Sequence, residues 1–485
     1  MTDDAAGRFA LEIKSRLPYV PNSQQSALVD ALARFVFSSS PDPAFIVNGY
    51  AGTGKTSLTG ALVGALEASG RKAILLAPTG RAAKVFSANS RGHAAATIHR
   101  RIYRHSFGAG GAAGYAPPAP AENRERNAVF IVDEASMIGT ADEHGNSLLH
   151  DLVQYVFTGT DCRLILLGDT AQLPPVGAER SPAMEPEVLR RLGLRVSAAT
   201  LTATARQATD SGILFNATRL RRTMAACKAS GDEADVPLPR LRAPLHDVAV
   251  VDPSDLPEIL ADTYARDGIE NTILITRSNR RAADYNASIR AQVLYREEEI
   301  SREDLLIVAK NHYFRRKTAG VDFIANGDMV MVERVYGTEV RYGLRFADVS
   351  LRLGDAEPFD IKIILDTLAS GEAAMGQQQW IALYNGILND DGRFGATPPS
   401  ERLGALATDP YWNALQVKYG YAVTCHKAQG GQWTNVFVDL AYIPADALGL
   451  TLYRWLYTAV TRARTRLYLI APPDALMEAP SATAH

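Results

Sequence analysis

The chain has 485 residues, long enough for two to four domains each with its own core, and its 47% hydrophobic and 21% charged residues are the composition of an ordinary globular protein. Its net charge of −2 provides no bulk attraction to nucleic acid, so any such binding requires a local groove. No apolar run of about 18 residues is present, the first residues are acidic where an export signal is basic, and the three scattered cysteines fit neither a disulfide framework nor a zinc site; the expectation is a cytoplasmic chain with no membrane association.

The first predicted strand, Phe45, Ile46 and Val47, runs into GYAGTGKT, residues 49–56, and the segment after it repeats apolar residues at helical spacing until Gly70. Strand, G-x-x-x-x-G-K-[ST] and helix together form a phosphate loop. Gly49, Gly52 and Gly54 let backbone amides converge on phosphate oxygens, with Thr53 and Ser57 completing the cradle. Lys55 adds a point charge, and Thr56 offers a hydroxyl to Mg²⁺. The loop implies a bound nucleoside triphosphate and leaves the purpose of its hydrolysis open.

Further apolar runs follow at residues 73–78, 129–134 and 164–169, alternating with helical patterns as in a mostly parallel sheet covered on both faces. A Gly/Ala/Pro-rich excursion at residues 107–122 interrupts them. Asp133 and Glu134 close the run VFIVDE at a strand's C-terminal end, where ligands bind in open α/β sheets. Asp133 is suited to hold Mg²⁺ and Glu134 to polarise the attacking water. In GDTAQLPP, residues 168–175, Gln172 emerges after another strand, where an amide can register the γ-phosphate.

A second α/β unit begins with the strand ILITRS and resumes near Tyr419 with AVTCHKAQG, a strand at residues 435–440, a helix at 453–464 and a last strand. Between its parts, residues 304–363 change to short alternating runs that predict an inserted antiparallel module. Within that module NHYFRRK, residues 311–317, interleaves aromatic rings with three cations. It can stack bases, or it can be a strand whose Tyr313 or Phe314 faces its own core. IANGD, residues 324–328, reads as a tight turn, and residues 367–410 carry no assignable pattern.

In order, GYAGTGKT, APTGRAAK, ATIH, VDEASM, GDTAQLPPVG, ARQ, HKAQG and YTAVTRAR resemble the motifs of superfamily-one DNA helicases of the RecD/Dda type, the 5′-to-3′ branch. The resemblance implies an α/β fold of two RecA-like P-loop domains in tandem with a small β-rich insertion in the second, an SH3-like module being one form it can take. It places the first domain at residues 1–205, with a small insertion at about 100–127, and the second at 206–300 with 405–485. Residues 301–404 are the inserted module and linker.

By position the resemblance makes Gln25 the adenine-reading glutamine, with Gln24 adjacent. Arg206 and Arg462 would reach the γ-phosphate from the second domain, and Gly430 and Gly431 would line the same cleft, with Gln432 standing where many relatives carry an acid. Arg464 and Arg466 are expected in solvent. Pro78, Thr79, Arg81, Thr97, His99, Asn279, Thr424, His426 and Lys427 match positions that face a single strand.

The implied activity is an ATP- and Mg²⁺-dependent translocase or helicase acting on single-stranded DNA or on a duplex with a single-stranded tail. An RNA or RNA–DNA substrate and a P-loop phosphotransferase independent of nucleic acid are the rival readings. The pathway stays open among repair, recombination, and phage or plasmid replication. The excursion at 107–122 lies where relatives carry a strand-separating pin, but it offers few apolar wedge residues.

Overall fold

The computed structural model describes residues 2–90, 92–103, 120–140, 147–203, 211–230, 236–318, 321–372, 374–395, 397–406, 408–443 and 449–478. Arg206 and most of the 107–122 excursion lie outside them.

Six strands form the first sheet: β1 (Pro43–Gly49), β2 (Lys72–Ala77), β3 (Ala95–Thr97), β4 (Ala128–Val132), β5 (Arg163–Gly168) and β6 (Arg195–Leu201). They lie in the order β3-β2-β4-β5-β1-β6, every pair parallel. β4 and β5 are buried along their whole length, as strands covered on both faces must be. Phe45, Val47, Ile131 and Leu167 join the helices Ser23–Val36 and Lys55–Ala68 on one face; Ile46, Phe130 and Leu166 join helix Leu148–Thr158 on the other.

The second sheet begins with β7 (Val248–Val251) and β8 (Thr272–Thr276). The chain then leaves it for β9 (Leu305–Val308), the hairpin β10 (His312–Thr318) and β11 (Val321–Ile324), and the long strands β12 (Met329–Arg341), β13 (Leu344–Arg352) and β14 (Phe359–Ile364). After three helices between Gln377 and Leu406 come β15 (Leu415–Tyr419), β16 (Ala422–Thr424), β17 (Trp433–Asp439) and β18 (Ala463–Ile470). The second sheet has the order β16-β8-β17-β18-β7 and is also parallel throughout. These are two RecA-like halves in tandem.

The inserted module is a closed barrel, β12-β13-β14-β15-β9. Its fifth strand corrects the boundary drawn from sequence, because β15 had been assigned to the second α/β domain. The reason is local: only Gly420 and Tyr421 separate β15 from β16, so the two strands read as one run, and only pairing with β9 and β14 reveals the turn. The unassigned stretch holds helices Gln377–Leu388, Asp391–Phe394 and Pro399–Leu406, whose Leu383, Ile387 and Leu406 pack with Phe346 and Ile364 of the barrel. Phe314 meets Phe359 edge-on at 5.5 Å beside the barrel core, which decides the core reading for that residue; the side chains of Tyr313 and residues 315–317 lie outside the description.

Barrel and second sheet share one core, in which Leu274, Phe437 and Tyr468 meet Val330, Val349 and Leu351. A polar anchor ties the two. Asp304 is fully buried and accepts from Arg290 Nε at 3.1 Å, Arg296 at 2.7 Å, the Tyr421 hydroxyl at 2.8 Å and the Ser301 amide at 2.7 Å. A buried carboxylate persists only with such partners, and removing it strands two buried or nearly buried guanidinium groups. Asp304→Ala is therefore expected to lower unfolding free energy by about 3–5 kcal/mol. A urea melt followed by circular dichroism checks this.

Candidate nucleotide and strand-binding sites

β1 delivers the phosphate loop to the C-terminal edge of the first sheet. At Gly49 a Cβ would fall 2.5 Å from Lys55 Cγ, so glycine is what lets the lysine stem cross its own loop. Gly54 has φ +81°, and a Cβ there would lie 2.4 Å from the Tyr19 hydroxyl. Helix Lys55–Ala68 begins on Gly54 with no side-chain cap, which leaves its first amides for an anion. The Thr53 hydroxyl donates to Tyr50 O at 2.7 Å and folds the loop back, while Lys55 Nζ donates to Gly168 O at 3.1 Å across the sheet edge.

Asp133 and Glu134 follow β4, two strands from the loop. Asp133 Oδ1 accepts the Glu134 amide at 2.9 Å, and burial together with the Glu134 charge raises the Asp133 carboxyl to about 6, against the pull of Lys55. Glu134 holds φ +52°, a left-handed conformation that costs energy in a residue with a Cβ, and its Oε2 is buried without a hydrogen-bond partner among the described residues. Gln172 Oε1 is buried and unpartnered in the same way. Asp169 is buried, and its pKa is raised mainly by desolvation.

A cavity of about 1040 Å³ joins these groups. Gln25, residues 50–57, Asp133, Glu134, Asp169 and Gln172 line it from the first half, and Gln432, Thr461, Arg462 and Arg464 from the second. Gln25 is already at work in the fold: its Oε1 accepts the Asn22 amide and its Nε2 donates to Thr53 O at 2.9 Å. Gln24 instead accepts from the Thr202 and Ala203 amides at 2.9 Å each, which fastens the helix to the end of β6. Arg462 is 4% exposed and donates to Thr458 O at 3.0 Å and Gly431 O at 3.2 Å.

Two expectations change. Gly430 faces Thr79 and Ala82, and Gly431 faces Arg81 and Trp433, so neither lines this cavity; the turn they form packs against the first domain's helix Gly80–Asn89 instead. Arg464 is exposed, as expected, and also stands at the cavity wall. Tyr19, Asn89 and Ser211 also line it. They carry no motif signal, and only folding brings them there.

A second cavity of about 360 Å³ collects Pro78, Thr79, Arg81, Thr97, His99, His426 and Lys427, seven of the nine positions expected to face a strand. Asn279 and Thr424 line an adjoining crevice that shares Lys427 and adds Lys418. Thr79 and Thr97 cap the helices Gly80–Asn89 and Ile98–Ile102, accepting amides at 3.2 Å each, so their hydroxyl protons stay available. Burial pulls the pKa of His99, His426 and Lys427 down, a cost that an anionic ligand would offset.

Arg81 departs from the expectation of a simple strand contact. Its guanidinium stacks on Trp433 at 3.8 Å across the domain interface, its Nε lacks a partner among the described residues, and burial lowers its pKa to about 10. Asn311, the first residue of the NHYFRRK string, also lines the cavity, together with Phe323 of β11 and Asn326 of the turn after it. The loop read as a plain turn is thus a wall of the groove.

Two parallel sheets, a phosphate loop with an uncapped helix behind it, and an arginine facing that loop from the other half define a tandem RecA-like P-loop protein. Residues 21–236 match the family model of an AAA domain, and residues 419–470 that of the UvrD-like helicase C-terminal domain. The chain is 32% identical over 183 residues to the ATP-dependent RecD2 DNA helicase of Deinococcus radiodurans, covering 36% of this chain and 21% of that protein. It is 35% identical over 66 residues to an uncharacterized protein of Methanocaldococcus jannaschii, covering 14% of this chain and 5% of that one. The chain therefore spans about a fifth or less of the curated relatives it matches.

Solved structures of similar layout include a Bacteroides Pif1 helicase in complex with ADP-AlF3 and single-stranded DNA, at 15% identity and TM-score 0.45 over 96% of each chain. The Pif1 helicase from Candida albicans aligns at 15% identity and TM-score 0.45, over 95% of this chain and 97% of that one. The first matched segment contains the six strands of the phosphate-loop sheet, and the second contains β16, β17 and β18 of the other sheet. No helix among the described residues is long and apolar enough to cross a membrane.

The raised Asp133 carboxyl has a consequence for stability. Its pKa is higher in the folded chain than the ordinary 3.8, so its favourable contribution is full below that ordinary value and is lost as pH rises through about 6. Asp133→Asn is expected to raise the metal-free melting temperature by several degrees at pH 8, with the gain vanishing near pH 4. Thermal melts at the two pH values measure it.

Proposed function

We propose that the chain is an ATP-driven translocase and helicase on single-stranded DNA, moving 5′ to 3′, with single-stranded DNA or a tailed duplex as its macromolecular partner. One observation carries the reading: the loop after β5 has one end on each cavity. Asp169 and Gln172 line the nucleotide cavity, while Pro175 and Val176 line the groove that gathers the strand-facing residues. A change at the γ-phosphate thus has a path of seven residues to the groove wall, counted from Asp169 to Pro175. Binding and chemistry would be coupled through a shared element rather than through distance.

The roles follow from the chemistry of each group. The amides of residues 51–56 and Lys55 would hold the phosphates, and Gln25 stands at the loop's flank where a base would enter. Thr56 and Asp133 fit Mg²⁺: Asp133 is a desolvated carboxylate on which Lys55 is the positive charge acting among the described residues, and a magnesium ion would supply further charge neutralisation. The unpartnered Glu134 Oε2 is an acceptor suited to orienting a water, and the unpartnered Gln172 Oε1 to sensing it. Arg462 has to leave its Thr458 and Gly431 carbonyls to meet developing charge, so closure of the halves is part of the mechanism. Arg206 would serve the same end from the segment after β6.

In the groove, hydroxyls, helix N-termini, His99, His426 and Lys427 would grip phosphates without reading sequence, and Phe323 offers a face to a base. Three free cysteines, all buried, suit a reducing cytoplasm.

ATP turnover with and without a thymidine oligonucleotide, at two salt concentrations, tests the reading. DNA is expected to stimulate turnover, with strand affinity falling by a log–log salt slope of about −0.7 per phosphate neutralised. Lys55→Ala should abolish turnover and leave strand affinity within about twofold, since a single amine is removed from the other cavity. Turnover indifferent to DNA would overturn the motor, and preferential stimulation by RNA would move the substrate to the rival class. Strands labelled at either end give the polarity.

A further inference from the structure

We propose that Tyr457 is a positioning residue that latches the phosphate loop to the arginine-bearing helix of the second half when no nucleotide is bound, and that an arriving triphosphate releases it by taking the Ala51 amide. The inference rests on reading the larger cavity as the ATP site.

Tyr457 lies on helix Leu450–Val460 and is 1% exposed. A phenol has one proton to give and lone pairs to receive with, and both functions are used. The hydroxyl donates to Asp169 Oδ2 at 2.7 Å and accepts the Ala51 amide at 2.9 Å. One oxygen from the second half thus ties together the phosphate loop and the loop after β5. Ala51 lines the cavity, and the amides of such a loop are what phosphate oxygens bind. The same amide cannot serve tyrosine and phosphate at full strength.

Neighbouring contacts show what the latch controls. The next residue, Thr458, accepts the Leu173 amide at 2.8 Å through Oγ1, so this turn of helix grips both sides of Gln172. Thr458 O in turn receives Arg462 Nε at 3.0 Å. While Tyr457 is engaged, the arginine is stored on carbonyls of its own half. Phosphate capture of the Ala51 amide removes one of the two bonds at Tyr457 and lets the helix shift, which brings Arg462 off its carbonyls. The order of events is nucleotide first, arginine second.

Tyr457→Phe keeps the buried ring and removes only the hydroxyl. In the full chain it is expected to tighten binding of a fluorescent ATP analogue by about three- to tenfold, the size of one intramolecular hydrogen bond no longer competing. The DNA-stimulated kcat is expected to fall about tenfold, so KM and kcat drop together. Thr458→Val loosens the same interface without touching Ala51 and is expected to leave analogue affinity unchanged.

A purely structural tyrosine would instead weaken analogue binding and kcat in step with a lower melting temperature, and that result overturns the latch, as does unchanged affinity. Hydrogen exchange in the wild-type chain gives a second readout: the 450–460 helix should exchange faster with the analogue bound, and slower exchange overturns the proposal. If wild-type turnover ignores DNA, the motor reading falls, while the analogue affinities still decide whether Tyr457 competes for the amide.

Discussion

A loop buried between two domains must have its backbone polar groups satisfied from both sides, and the architecture of this chain turns on one such loop. Leu173 donates its amide to Thr458 Oγ1 and receives Gln429 Nε2 at its carbonyl, each at 2.8 Å, and both partners belong to the second half. Asp169, four residues earlier, is bonded to Tyr457 of that half. Without these side chains the loop would bury unpaired amides and carbonyls at a cost of about 1–3 kcal/mol each. The two halves therefore meet on backbone hydrogen bonds that only a particular relative placement completes. Gln172 is carried between the tethered residues with its carbonyl oxygen unspent.

The nucleotide cavity is an electrostatic problem left deliberately incomplete. Asp133, Glu134 and Asp169 surround one lysine, and burial pushes Asp133 and Asp169 toward their neutral forms. An uncapped helix start, two side-chain oxygens without a partner among the described residues and a left-handed glutamate are costs with no return in the packing around them. Such features persist where a ligand completes them. On the other side of the same sheet edge the groove is built more conservatively, from threonine caps and helix starts that are satisfied already and keep spare hydrogen-bonding capacity.

Much of this was legible in the linear chain because it depends on local rules. The phosphate loop, the carboxylates after β4 and Gln172 after β5 each follow an apolar run, and a parallel sheet places the ends of such runs on one edge. That is why all of them reached a single cavity, with Arg462 opposite. The misreadings arise where meaning is not local. Gly430 and Gly431 were assigned by motif order, yet two residues decide whether a turn faces nucleotide or the neighbouring domain, and here it meets Thr79 and Arg81. β15 reads as part of β16's run until its pairing with β9 shows that it closes the barrel.

By itself the sequence determined the chemistry: a nucleotide-holding loop, acidic groups at strand ends, a tandem α/β plan and the order of the parts. Those are consequences of residue type and short-range spacing, which the chain carries wherever it folds. Only the tertiary structure decided which groups meet. It set Arg81 on Trp433, brought the hairpin's Phe323 and Asn326 to the groove wall, and put the Tyr457 hydroxyl between Ala51 and Asp169. The residues of that last contact are 406 and 288 positions apart. No spacing rule reaches so far; the contact exists because two separate sheets present complementary polar edges to each other.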